Sequence, residues 1–312
     1  MNGVQRRPRI AIVGCGRMGS ERAARAIALG AVIRACADAD VGRAEELATR
    51  SGAATVESDA AKLPWRELDA VFICTPPSVR GSAVRHAIEA GVATFVEKPI
   101  GLSAAEGEAL ADAAHRARIV NAVGYMNRYR ASVRSARTIA ANHKVIAVTC
   151  QWVCRPYGVP WWRSAEQSGG PFNEQATHIV DLCRFVAGEV ADVRSVSSGD
   201  DPERPTRFAA ALRFENNAVG TLAYTCDAPD KFIAFELITT SGALRLEGWD
   251  FKLAASTFDL HVDAEDDAFE TETRAFLTAA MQSDQSLIAS SFDDAVRTQS
   301  VVDRVRNATV TT

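Results

Sequence analysis

The stretch from Arg9 to Asp38, RIAIVGCGRMGSERAARAIALGAVIRACAD, constrains the fold of this chain more than any other. Ile10 to Val13 is β-branched or apolar throughout, the composition of a short buried strand. Gly14, Gly16 and Gly19 follow in G-x-G-x-x-G spacing. Met18 to Leu29 is rich in alanine and reads as helix, and Gly30 stops it. A second apolar run, Ala31 to Ala37, ends on Asp38. Each part has a physical reason. Gly14 permits a tight turn, Gly16 lets the backbone approach a pyrophosphate, and Gly19 lets helix and strand pack closely. Arg17 and Met18 lie at the helix start, where free N–H groups and the positive end of the dipole attract phosphate. Asp38, 19 residues past Gly19, stands where a carboxylate accepts hydrogen bonds from an adenosine ribose. A glycine turn by itself says little. Strand, glycines, helix, strand and terminal acid in one unit point to a dinucleotide site.

The same alternation continues. Gly42 to Arg50 reads as helix, and Pro64 and Trp65 sit in a connection. Val71 to Cys74 is an apolar strand ended by Thr75-Pro76-Pro77. Ser78 can cap a helix that Gly91 closes, and Val92 to Val96 is a strand ending at Glu97-Lys98-Pro99. Ser103 and Glu106 have capping-box spacing, and Ile119 to Val123 reads as a further strand. A doubly wound parallel sheet follows, an α/β Rossmann dinucleotide-binding domain over residues 1–125. In such sheets ligands bind outside the carboxyl ends of the strands. Gly14 to Gly19, Asp38, Thr75, Pro76, Glu97 and Lys98 are therefore all expected at one crevice.

The pattern then changes. Asn127 to Ala141 reads as helix and Val145 to Val153 alternates as a strand. An aromatic loop with Trp152, Tyr157, Trp161 and Trp162 leads to Gly169-Gly170-Pro171 and a helix from about Asn173 to Val186. Strand-like runs cover Asp192–Ser197, Thr206–Phe214, Ala218–Thr225, Phe232–Thr239 and Ala243–Leu246, with Asn216-Asn217 as a hairpin turn. Helices are expected over Phe269–Met281 and Phe292–Arg306. Residues 126–312 thus form an α+β domain with a mostly antiparallel sheet, expected to bind substrate and to support oligomers. The exposed sheet face predicts a homodimer or homotetramer.

A length of 312 residues suits two domains, and a net charge of −4 gives no global attraction for nucleic acid or anionic membrane. No apolar run approaches the roughly 18 residues of a membrane helix. The basic start MNGVQRRPRI has no apolar segment of the kind a signal peptide needs. Seven dispersed cysteines suit buried thiols in a cytoplasmic protein, and no cysteine and histidine set has zinc spacing. No metal is expected.

GCGRMG at 14–19, CADAD at 36–40, CTPPS at 74–78, AGVATFVEKPIG at 90–101, GYMNRY at 124–129 and SGGPFNEQATHIVDLCRFVAG at 168–188 together resemble the Gfo/Idh/MocA oxidoreductase family, over nearly the whole chain. The resemblance implies NAD(P)-dependent dehydrogenases or reductases of sugars, inositols and related small molecules. It implies that Lys98 contacts substrate and the nicotinamide ribose, that His178 is the acid/base residue, and that the Lys98–Pro99 bond is cis. The family often has aspartate at the position of Glu174 and histidine at the position of Arg80. Some relatives use NAD only transiently, in a lyase or glycosidase cycle. A sensor that binds NAD(P) without catalysis is a further alternative.

The residues themselves suit these roles. Lys98 precedes proline and is held extended at a strand end. An ammonium there can polarise an oxygen undergoing hydride chemistry. Glu174, His178 and Asp181 fall at i−4, i and i+3 of one helix, so they share a face, and carboxylates can orient a histidine. Arg128 lies near the end of a strand and Trp162 can stack on a sugar ring; both, with Asp181, are candidate substrate contacts. The cofactor is expected to be NAD, because Asp38 would meet the 2′-phosphate of NADP with like charge. Arg43 can swing over such a phosphate, which leaves NADP open.

Overall fold

The computed structural model describes residues 6–201, 204–255, 258 and 267–307. Its chain divides into two compact units. The first runs to Gly101 and takes in Ala105–Gly124 and Ala268–Val296; the second holds Leu102–Ala104, Tyr125–Asp267 and the chain from Arg297 onward. The chain thus leaves the first unit near residue 125 and returns to it at Ala268, a return that a division into 1–125 and 126–312 does not include.

The first unit is built on β1 (Arg9–Val13), α1 (Arg17–Ala28), β2 (Val32–Ala37), α2 (Val41–Ser51), β3 (Thr55–Glu57), β4 (Ala70–Ile73), α3 (Gly81–Glu89), β5 (Ala93–Val96), α4 (Ala104–Ala117) and β6 (Asn121–Val123). All six strands are parallel, in the order β3-β2-β1-β4-β5-β6. This is the doubly wound Rossmann order, and it reverses between β1 and β4. The strands are short and buried on both faces, which is why they read as continuous apolar runs and not as alternation. The returning segment explains its own sequence. Phe276 packs edge-on against Phe72 and Phe95, at 5.1 and 5.4 Å between ring centroids. Phe276 is fully buried in the same core as Ile10, Ile12 and Phe72.

The second unit contains α5 (Ala131–Asn142), β7 (Val145–Val153), two single-turn helices, α6 (Pro160–Arg163) and α7 (Ala165–Ser168), and α8 (Thr177–Ala187). Strands β8 (Val190–Ser198), β9 (Arg207–Phe214), β10 (Val219–Thr225), β11 (Phe232–Thr239), β12 (Gly242–Glu247) and β13 (Lys252–Ala255) follow. They pair in the order β13-β12-β11-β7-β10-β9-β8, antiparallel except for β7 with β10. Strict alternation, as in β9, buries one face under helices and exposes the other. The remaining helices are α9 (Ala268–Gln282) and α10 (Phe292–Asn307).

Three local features differ from the sequence expectations. The helix expected from Asn127 is a single 3₁₀ turn, Met126–Tyr129, followed by α5. The helix expected from Asn173 opens with a π-helical turn, Phe172–Ala176, and becomes α-helical only at Thr177. Strands β3 and β13, of three and four residues, carry too little pattern to be seen in the sequence.

Candidate active site

In the first unit, the glycine loop lies at the carboxyl end of β1. Gly14 has φ +87°, and a Cβ there would stand 2.7 Å from the Thr75 nitrogen, so only glycine lets β1 and β4 end side by side. A Cβ on Gly19 would fall 2.0 Å from the Gly14 carbonyl oxygen. Beside Gly16, by contrast, no atom lies within 4 Å of where a Cβ would be. Gly16 caps α1 without a side-chain hydrogen bond, which leaves the first-turn N–H groups for a ligand. Arg17 is exposed and Met18 half-buried at this helix start. Asp38 accepts the Cys15 N–H at 2.7 Å on one oxygen and the Asp40 N–H at 2.9 Å on the other. It therefore ties the glycine loop to β2. Each oxygen keeps a lone pair for a ribose hydroxyl. Arg43 is exposed and pairs with Asp40 at 3.3 Å. Thr75 and Pro76 are half-buried, and the Thr75 hydroxyl oxygen has no hydrogen-bond partner among the described residues. An open cradle at Gly16, uncapped N–H groups and this hydroxyl fit a dinucleotide.

Lys98 leaves the carboxyl end of β5, half-buried, and the Lys98–Pro99 peptide bond is cis. Its neighbours are fixed on both sides. The Arg80 guanidinium donates to the main-chain carbonyls of Glu97 and Pro99, and at 2.5 Å to that of Thr75. Arg80 is 2% exposed, so this charge is invested in shaping the backbone around Lys98. The Glu97 side chain turns to Arg22 of α1, whose Nε donates to it at 2.7 Å. Arg22 also donates to Glu272 of α9 at 2.6 Å. Burial opposes the Arg22 charge, but the two carboxylates hold its pKa above the ordinary arginine value. Glu97, expected at the cofactor, therefore commits its carboxylate to a buried ion network.

In the second unit, His178 sits in the first turn of α8, nine-tenths buried. Its ring stacks on Trp152 of β7, with centroids 5.4 Å apart and planes 13° apart. Tyr125 meets it edge-on at 6.4 Å and donates to or accepts from the Thr177 hydroxyl at 2.7 Å. Burial is the main cause that pushes the Tyr125 hydroxyl pKa up, so Tyr125 stays neutral. Glu174, 4% exposed, lies in the π-helical turn that precedes His178. Such turns widen the helix and re-aim side chains, and they are frequent at functional sites.

Asp181 and Arg128 are placed together, but with each other. Arg128 donates to both oxygens of Asp181, at 2.9 and 2.5 Å, and the pair is at most 4% exposed on either side. Thr298 adds a third hydrogen bond to Asp181 at 3.0 Å. A buried bidentate pair anchors α8 to the segment after β6; substrate contact, expected from sequence for both residues, is not what this geometry supports. Trp162, 2% exposed, packs into the core and against Tyr157 at 5.2 Å. Trp152, not Trp162, is the indole that faces the histidine. Its place was signalled by the alternation of β7, which turns it inward with Cys150. Arg22 had a signal too, an arginine on the apolar stripe of Gly19, Ala23 and Ala26. Among the described residues, no group of three or more His, Cys, Asp or Glu side chains is arranged to hold a metal. No helix among them is long and apolar enough to cross a membrane.

A Rossmann sheet with this loop, followed by a second domain built on a sheet, defines a dinucleotide-binding class of protein. Residues 8–125 match the family model for the oxidoreductase family with an NAD-binding Rossmann fold, and residues 139–245 match the GFO/IDH/MocA C-terminal domain. The chain belongs to the Gfo/Idh/MocA family and is an NAD-dependent oxidoreductase of it. Myo-inositol dehydrogenase Hyg17 of Streptomyces leeuwenhoekii is 30% identical over 69% of this chain and 68% of its own length. The scyllo-inositol 2-dehydrogenase (NAD(+)) of Bacillus subtilis is 32% identical over 61% of this chain and 56% of its own. A levoglucosan dehydrogenase, solved with NADH and levoglucosan, shares the fold at TM-score 0.86 and 20% identity, over 97% of both chains. The WlbA dehydrogenase of Bordetella pertussis, solved with NADH and UDP-GlcNAcA, does so at 0.85 and 18%, over 97% of this chain and 96% of that one.

Proposed function

We propose that this chain moves a hydride between NAD and a secondary alcohol or ketone of a sugar, sugar nucleotide or cyclitol. The observation that carries the proposal is Lys98. It stands at the carboxyl end of β5, on the same edge of the parallel sheet as the glycine loop, with its flanking carbonyls gripped by Arg80. The inositol and levoglucosan dehydrogenases among its relatives support the substrate class.

Gly14, Gly16 and Gly19, with the α1 start at Arg17 and Met18, would hold the pyrophosphate, and Asp38 the adenosine ribose. When bound, NAD supplies the hydride donor or acceptor. The chain supplies charge, proton and orientation. The Lys98 ammonium stabilises negative charge on the substrate oxygen. His178 removes the hydroxyl proton in oxidation and returns it in reduction, with its ring plane held by Trp152. Glu174 tunes or positions His178 from the preceding turn. Arg128 and Asp181 fix the helix that carries the histidine. We further propose a cytoplasmic homo-oligomer joined through the open face of the second unit's sheet.

The test is a panel of cyclitols, aldoses and sugar nucleotides incubated with the full chain and NAD⁺, followed at 340 nm. Net NADH formation with at least one of them is expected. Substrate consumption without net NADH would replace this reading with a cycle in which NAD is regenerated.

A further inference from the structure

Lys231 immediately precedes β11 and has no part in the chemistry assigned above. Strand alternation fixes the way it faces. Ile233 pairs with Trp152 across β11 and β7, and both are buried. Residues two apart on a strand share a face. Lys231 is therefore on the side of Ile233 and Trp152, while Phe232, 44% exposed, takes the other. This is the side on which His178 stacks on Trp152. The contacts agree. The Lys231 ammonium lies 3.6 Å from the ring centre of Trp249 and 5.6 Å from that of Trp152. The two indoles meet at 6.3 Å and 71°. Ammonium, two indoles and the histidine form one connected group at one end of one sheet face.

The partners of this ammonium are aromatic. The carboxylate next door, on Asp230, turns to Arg155 at 3.5 Å. Arg155 also donates to the Pro229 carbonyl, which anchors the loop that delivers Lys231. Cys154 lies close by, but burial pushes its thiol up to about 12, so it is neutral near pH 7. Burial lowers the Lys231 pKa, with Cys154 opposing. Among the described residues no carboxylate pairs with Lys231. Two indole faces hold the charge in place without using up its three donors. A neutral ring stacked against tryptophan gains little from such a group. A ligand anion gains a charge-assisted hydrogen bond.

We propose that Lys231 recognises an anionic substituent, a carboxylate or a phosphoryl group, on the ring whose hydroxyl His178 serves. The inference rests on the dehydrogenase reading and narrows its substrate class to acidic sugars or cyclitols.

The test uses binding, so that it does not depend on turnover. Trp152 and Trp249 lie beside the ammonium, so their emission reports a ligand there. The full chain with saturating NADH is titrated with D-glucose, D-glucuronate and glucose 1-phosphate, watching tryptophan fluorescence. The wild type should bind at least one of the two acids at least tenfold more tightly than glucose. Glucuronate and the phosphate distinguish the two sources of charge. Lys231→Met should lower the ratio of acid to glucose affinity at least tenfold, and Lys231→Arg should keep most of it. No preference for either acid in the wild type, no binding of any probe, or a preference that survives Lys231→Met overturns the proposal. The dehydrogenase reading is judged apart from this, by net NADH formation with any member of the substrate panel, acidic or neutral.

Discussion

In the proposed reaction, His178 is the side chain prepared for proton transfer. Hydride transfer to a ketone leaves an alkoxide that must gain a proton as it forms. Histidine is suited to this because its unperturbed pKa is about 6.5. The stack on Trp152 removes the freedom of the ring without consuming a nitrogen. Positioned acid/base groups contribute about 10²–10⁴-fold. His178→Ala should lower kcat by roughly that range while NADH affinity stays near wild type, read by steady-state kinetics and NADH titration. Glu174→Gln should cost less. Lys98→Ala should be at least as harmful as the histidine change, because it removes charge stabilisation at the oxygen. Arg80 acts through Lys98. Its guanidinium spans the carbonyls on both sides of the lysine, so Arg80→Ala should move the ammonium and lower kcat by about tenfold to a hundredfold. Added guanidinium should restore part of the rate. Loss of NADH affinity in place of kcat would instead give Arg80 a role in nucleotide binding. Legible in the sequence at this scale was the placement of Lys98 at a strand end and of His178 on a helix, since motifs carry both. The partners were not. That Asp181 belongs to Arg128, and Glu97 to Arg22, depends on residues distant in the chain.

At the scale of elements, the unit from β1 to β2 determines which nucleotide fits. Asp38 holds the glycine loop and keeps lone pairs for a ribose. A 2′-phosphate would meet its charge, and like charges in contact cost several kcal/mol, so NADPH should bind about tenfold or more weakly than NADH. Arg43 is exposed and pairs with the exposed Asp40, a weak contact, and its swing over the phosphate would narrow this difference. Calorimetric titration at matched ionic strength decides it; tighter NADPH binding would overturn the assignment. The buried Arg22 joins α1, the end of β5 and α9. Removing it strands two buried carboxylates, so Arg22→Ala should destabilise the fold by about 3–5 kcal/mol, measured by urea unfolding. The β1–α1–β2 unit was readable because its strands, glycines and acid are local. The π-helical turn before α8 was not, because nothing in Phe172–Ala176 departs from ordinary helical composition. It changes the assumed one-turn relation of Glu174 to His178, which was drawn from regular α-helical spacing.

For the whole molecule, two units with separate cores must each fold, and the C-terminal segment returns to the first. That return was illegible locally. Ala268–Gln282 reads as an ordinary amphipathic helix, and contacts distant in the chain, from Phe276 to Phe72 and Phe95 and from Glu272 to Arg22, place it against the parallel sheet. The outer face of the second sheet presents small and β-branched side chains, among them Thr149, Ala211, Thr221 and Ala223, around a shallow groove. Val196 and Val219 on this face are 54% and 56% exposed. An unpartnered face of this kind suits a second copy in a symmetric, self-complementary contact. Light scattering at micromolar concentration should give a dimer or tetramer, and a monomer would count against that assembly.

The central claim is that hydride passes between NAD and a carbinol carbon of the substrate. It is tested most directly with the best alcohol from the panel, deuterated at that carbon, in a single turnover with NAD⁺. The account predicts NADH that carries the deuterium at C4 of the nicotinamide, formed in step with the ketone. Substrate consumed with no deuterium in the nicotinamide would contradict it.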